Sequence, residues 1–122
     1  MSKRPTVYVI QEPMRKEEGG GMVPVMDFRK VLDYGDPVVV LGNGRVSLRP
    51  GPTIDTITEV LKNYTDDDYI VSVGDPSAIF IAAMIAGDRN NGKCNLLKWD
   101  KAAKQYIKVV IDIHYRTRRT AE

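Results

Sequence analysis

"YIVSVGDPSAIFIAAMIAG", residues 69–87, passes from a β-branched run through Gly-Asp-Pro into a long apolar segment. The first five residues read as a strand, and the segment from Pro76 to Gly87 reads as a helix. Each residue of the turn has a backbone role. Gly74 permits a tight bend, Asp75 caps the helix through its carboxylate, and Pro76 suits the first helical position. A strand, a turn and a helix N-terminus also form the geometry that holds anions. Asp75 argues against that use, because its carboxylate occupies the amides a phosphate would need. The helix is apolar almost all round, which predicts cover on several sides.

Upstream, "TVYVIQ" (6–11) reads as a first strand. The stretch 12–25 mixes Pro, charges and Gly19-Gly20-Gly21, and reads as a flexible loop. It lacks the strand before and the Lys-Ser/Thr after that a phosphate loop requires. Residues 26–35 fit a short helix with Asp27 as N-cap, Phe28, Val31 and Leu32 on one side and Gly35 as its stop. "DPVVVLG" (36–42) reads as a buried strand, and Asn43-Gly44 predicts a hairpin pairing residues 38–40 with 46–48. Residues 53–64 form an amphipathic helix with Ile54, Ile57, Val60 and Leu61 on one face.

Downstream, "CNLLKWDKAAKQYIKVVIDI" (94–113) reads as an antiparallel hairpin. Setting Asp100 opposite Gln105 puts Trp99 opposite Tyr106, a favourable aromatic pair. Residues 114–122 have no period and read as a frayed basic tail. The expectation is a single mixed α/β domain of the α+β class over residues 1–113. It would hold a mixed sheet of about five strands, two main helices and a C-terminal hairpin.

Composition narrows the function classes. Charge is nearly balanced at +2 over 122 residues, so no global field favours nucleic acid or an anionic membrane. From Lys93 onward, however, eight Lys/Arg stand against three acids. The single cysteine, Cys94, excludes an internal disulfide and fits an inert buried thiol in a reducing cytoplasm. The longest apolar run, 78–86, is under half a membrane span, so no membrane partner is expected. The expected localisation is cytoplasmic.

Motifs for catalysis are absent from the pattern. His114 has no triad partners in sequence, and Ser47, Ser72 and Ser77 lie in no nucleophile elbow. Asp66-Asp67-Asp68 and Asp75 are hard-oxygen ligands of the type Mg²⁺ takes. A five-residue strand holds them roughly 17 Å apart at about 3.3 Å per residue. No metal, cofactor or catalytic residue is therefore assigned, and a Mg²⁺-dependent phosphate enzyme ranks third among the readings.

The basic C-terminal segment is the leading candidate site. Lys98, Trp99, Lys101, Lys104, Tyr106 and Lys108 lie on the hairpin, with Arg116, Arg118 and Arg119 in the tail. Cations interleaved with aromatics suit nucleic acid: charge meets phosphates and flat rings meet bases. A Lys-decorated strand edge has the same composition, since lysines guard sheets against aggregation.

Taken in order, "YVIQEP", "DYGDPVVVL", "DDDYIVSVGDPSAI" and "LLKWDKAAKQYIKV" resemble small uncharacterised proteins of tailed, chiefly marine, bacteriophages. The resemblance spans most of the chain and carries no catalytic residues with it. It implies a small accessory protein in the cytoplasm of an infected bacterium. The leading expectation is thus non-enzymatic binding of nucleic acid or of a nucleic-acid-processing partner. The alternative is a protein-interaction module or homo-oligomer whose apolar helix and hairpin edge another chain completes.

Overall fold

The sheet is built around β1 (Thr6–Gln11), whose TVYVIQ sequence alternates between two apolar environments. In the computed structural model the described residues are 4–12, 14–16, 18–20, 22–24, 29–42 and 49–121. Val7 and Val9 point into one cluster, Tyr8 and Ile10 into the other, as a strand's two-residue period requires. β4 (Asp36–Leu41) and β5 (Tyr69–Val71) flank β1, both parallel to it. β6 (Lys93–Asp100) adds in parallel to β5, and β7 (Gln105–Asp112) closes the far edge antiparallel to β6. The order β4-β1-β5-β6-β7 makes a five-stranded mixed sheet. With two main helices and the C-terminal hairpin, the class is the expected α+β.

Chain reversal dictates where the covers go. From β1 the chain steps outward to β4, then turns back across β1 to β5 and β6. Right-handed parallel crossovers in opposite directions must lie on opposite faces. Accordingly α1 (Gly51–Val60) and α2 (Pro76–Arg89) share one face, packing Ile57, Ala78, Ala82 and Ala86 on Tyr8, Ile10, Val40 and Ile70. On the other face Val31, from a single 3-10 turn at Val31–Asp33, covers Val7, Val9, Val71 and Leu97.

α2 differs from the sequence expectation. Only its stripe of alanines is fully buried, bringing the helix axis close to the sheet, while Phe80 and Met84 are 71% and 73% exposed. Cover on several sides is absent among the described residues. An apolar sequence all round does not by itself bury a helix that lies on the outer layer.

Other segments also depart from expectation. Among the described residues of 26–35, the one helical element is the 3-10 turn Val31–Asp33. Residues 25–28, including Asp27 and Phe28, lie outside the described residues, as does the expected strand 46–48. Val31 is buried there but Leu32 is exposed, because neighbouring residues on a 3-10 turn point about 120° apart. Within the Gly-rich stretch 12–25, β2 (Met14–Lys16) pairs antiparallel with β3 (Met22–Pro24). Gly19 and Gly20 take the positive φ that reverses the chain there. The tail is helical: α3 (Tyr115–Ala121) starts where the Asp112 carboxylate accepts the His114 amide at 2.9 Å. Among the described residues no helix is long and apolar enough to cross a membrane.

Candidate functional site: the sheet switch point and the C-terminal hairpin

In open sheets whose strand order reverses, ligands bind in the crevice beyond the carboxyl ends of the two strands at the reversal. Here those strands are β1 and β5, so the crevice lies between Gln11 and the Val73-Gly74-Asp75 turn. Gln11 fills it. Its backbone amide donates to the Val73 carbonyl at 3.0 Å. Its side-chain Nε2 donates to the Gly42 carbonyl at 3.0 Å, and its Oε1 accepts the Asp75 amide at 2.8 Å. One amide side chain therefore ties the ends of β4, β1 and β5 together. Gly74, at φ 121°, passes so close that a Cβ there would meet the Gln11 side chain. Asp75 in turn accepts the Ser77 amide at 2.8 Å, the cap expected from sequence. The Asp75 and Ser77 amides at this turn are thus already engaged.

At the opposite end of the strands the acidic run is structural. Asp68 is buried and accepts the Thr6 amide at 2.8 Å and the Thr65 amide at 2.9 Å, fastening the start of β1 to the turn before β5. Buried Asn95 donates to the Asp66 and Asp68 carbonyls at 2.7 and 3.0 Å. Asp66 accepts from Asn90 and pairs with Lys93, and the Asn90 hydrogen bond holds its carboxyl below the usual range. Among the described residues no group of three or more His, Cys, Asp and Glu is placed to hold a metal. Cys94 is half-buried, and burial pushes its thiol up, away from the reactive thiolate.

The hairpin forms in the register read from sequence: Trp99 opposes Tyr106 and Asp100 opposes Gln105. The two rings meet edge-on with centroids 5.0 Å apart. Tyr106 is buried at 6% exposure and Trp99 remains open at 44%. Alternation divides the basic set. Lys98 pairs with Ile107 on the helix-covered face, while Trp99 and Lys108 lie on the other. Lys108 sits over the Tyr69 ring, 5.5 Å from its centroid. Lys101 and Lys104 are exposed in the turn, where Lys104 adopts φ 52° and its carbonyl accepts Lys30 Nζ at 2.7 Å. Arg118 is committed to Asp112 at 2.6 Å and to the Asn91 carbonyl. Arg116 stacks beside Tyr115, 5.8 Å from its ring centroid. The side chain of Arg119 lies outside the described residues.

Two features escape a reading by residue type. Gln11 gives no signal, because a polar residue ending a strand is ordinary. The second is the apolar surface of β7: Ile107, Val109 and Ile111 are exposed on one face and Val110 on the other, as is Ile113 just beyond. The run "IKVVIDI" carries that signal only once β7 is known to be the outermost strand.

These features define a small mixed-sheet protein with both strand-end seams closed by its own side chains and an uncovered C-terminal hairpin. A family model described as Phage Pam3 gp32-like protein matches residues 5–113, and the chain belongs to that family. The phage resemblance read from sequence is therefore right, and the match includes the hairpin but stops before α3. No curated protein and no solved structure matches the chain.

Replacing Gln11 with Ala leaves the Gly42 carbonyl and Asp75 amide without their partner. Urea melts should show a loss of about 1–3 kcal/mol, the usual result of orphaning part-buried polar groups.

The Arg118 hydrogen bond holds the Asp112 carboxyl below its ordinary value. A lowered carboxylate pKa stabilises the fold fully above the unfolded value, about 3.9 for Asp. That contribution disappears as pH falls through the lower folded value. NMR titration of the Asp112 carboxyl should therefore show its midpoint rising in Arg118→Ala, with faster amide exchange in α3.

Proposed function

We propose that this phage protein acts by docking, through the outer strand of its C-terminal hairpin, onto another folded chain. The carrying observation is β7, an edge strand with apolar side chains exposed on both faces. Soluble proteins ordinarily blunt such an edge with charges, proline or bulges. Here Lys108 is the only cation between Gln105 and Asp112, and eight residues pair regularly with β6. An edge of that kind suits strand addition: main-chain groups supply affinity and alternate side chains supply specificity. Neither polar seam at the strand ends offers a comparable open surface.

The test is affinity capture from phage-infected cells with tagged wild type and with Val110→Lys. A protein retained by the wild type and lost by the variant is the expected outcome, with unchanged circular dichroism. Identical captures by both proteins would refute docking at β7.

A second reading, nucleic-acid binding at the hairpin tip, draws support from exposed Trp99 between Lys98 and the Lys101–Lys104 turn. Trp99 is the sole tryptophan, so its fluorescence reports directly on the tip. On this reading single-stranded DNA quenches it at low salt, the effect fades as salt rises, and Lys101→Ala with Lys104→Ala weakens it. No quenching at low salt would remove this reading.

A further inference from the structure

We infer that the partner of β7 is β7 of a second copy, paired antiparallel about a two-fold axis at Val110. This deepens the docking reading above and rests on it. The backbone groups of the edge that remain open select this partner.

The Ile113 amide donates to the Gly92 carbonyl at 3.0 Å, in the same register as the rest of the hairpin. By the two-residue period, Ile111, Val109 and Ile107 likewise turn their N–H and C=O toward β6. Tyr106, Lys108, Val110 and Asp112 turn theirs outward. The structure confirms this parity at Tyr106, whose carbonyl accepts the Tyr34 hydroxyl at 3.0 Å rather than a β6 amide.

That contact also closes one end of the edge. The other end closes at His114, whose amide is held by the Asp112 carboxylate and whose carbonyl accepts the Arg118 amide. Between these stops lie the outward groups of Lys108, Val110 and Asp112, with no partner among the described residues. The open window is centred on Val110, itself 59% exposed.

A symmetric antiparallel pair must choose a register, and the alternatives oppose like charges or reuse engaged backbone groups. Placing Lys108 opposite Lys108, or Asp112 opposite Asp112, sets like charges face to face. A shift that opposes Tyr106 to Asp112 spends a carbonyl already taken by Tyr34. A shift that opposes Lys108 to His114 spends an amide and a carbonyl already engaged. Opposing Val110 to its own copy avoids all of these. Lys108 then lies across from Asp112 of the second copy, opposite in charge, and every outward group in the window finds a backbone partner. Lys108 leaves an exposed ring contact to do so, and the Asp112 carboxylate retains acceptor sites beyond its bonds to Arg118 and His114.

Side chains agree with the backbone. In this register Val109 opposes Ile111 and Ile107 opposes Ile113, all four exposed in the single chain. On the opposite face Val110 meets Val110. The pairing is isologous, so it closes at two copies and joins the two sheets into one continuous sheet.

Sedimentation and light scattering of the purified full chain test this directly. The expected result is a particle of twice the 13.7 kDa chain mass, reverting to monomer in Val110→Lys with unchanged circular dichroism. Register is tested by cysteine cross-linking in a Cys94→Ser background. Val110→Cys places two Cα atoms about 5.5 Å apart, within disulfide range, and should cross-link under mild oxidation. Lys108→Cys should not, because its copy lies several residues away. A monomer at all concentrations, or a dimer that Val110→Lys leaves intact, overturns the second-copy inference. Docking onto a different protein would still register in the capture experiment, so the two failures are distinct.

Discussion

β1 is dry on both faces, and the rest of the molecule is arranged to keep it so. Val7, Val9 and Ile10 are fully buried, and Tyr8 nearly so, which demands a cover on each side of one strand. The chain meets that demand by reversing direction: outward to β4 by one face, then back to β5 and β6 by the other. Two helices supply the first cover. A single 3-10 turn carrying Val31 is the main described cover on the second. The asymmetry of these covers explains why the sheet is well shielded at β1 and β5 and bare at β7.

Burying β1 exposes its two ends to a different problem, since backbone groups there leave the ladder. The solutions are polar and local. At the amino end the Asp68 carboxylate takes the Thr6 amide, and Asn95 secures the turn that carries Asp66 and Asp68. At the carboxyl end the Gln11 side chain joins β4 to the α2 cap. The Gln11 seam occupies the crevice where open sheets with a reversed strand order bind ligands. Here the same groups hold strands together, and a buried carboxylate with several donors is better explained by that work than by catalysis.

The hairpin stands apart from this economy. It extends the sheet past α2, leaves an apolar strand uncovered and holds the open backbone window of β7 between two stops. The basic residues of the C-terminal segment are divided between two faces and a turn, and Arg118 is spent on docking α3. What remains concentrated in one place is apolar surface and strand-edge hydrogen bonding.

Much of the fold was legible in the residues. "YIVSVGDPSAI" specified strand, turn and capped helix, because Gly74, Asp75 and Pro76 each act within a few bonds of themselves. The hairpin register followed from Trp99 and Tyr106 for the same reason. Reading failed where the outcome depended on distant neighbours. Of the helix expected at 26–35 the described residues carry one 3-10 turn, and a tail without period became a helix once Asp112 and Arg118 met. Gln11 and Asp68 acquired roles only when three strand ends converged on them. The sequence determined which segments are strands and helices, since period, caps and turns are local. Tertiary structure alone decided that β1 is interior and β7 an edge, because strand order is set by crossover handedness and burial across the whole sheet, and no window of residues contains that information.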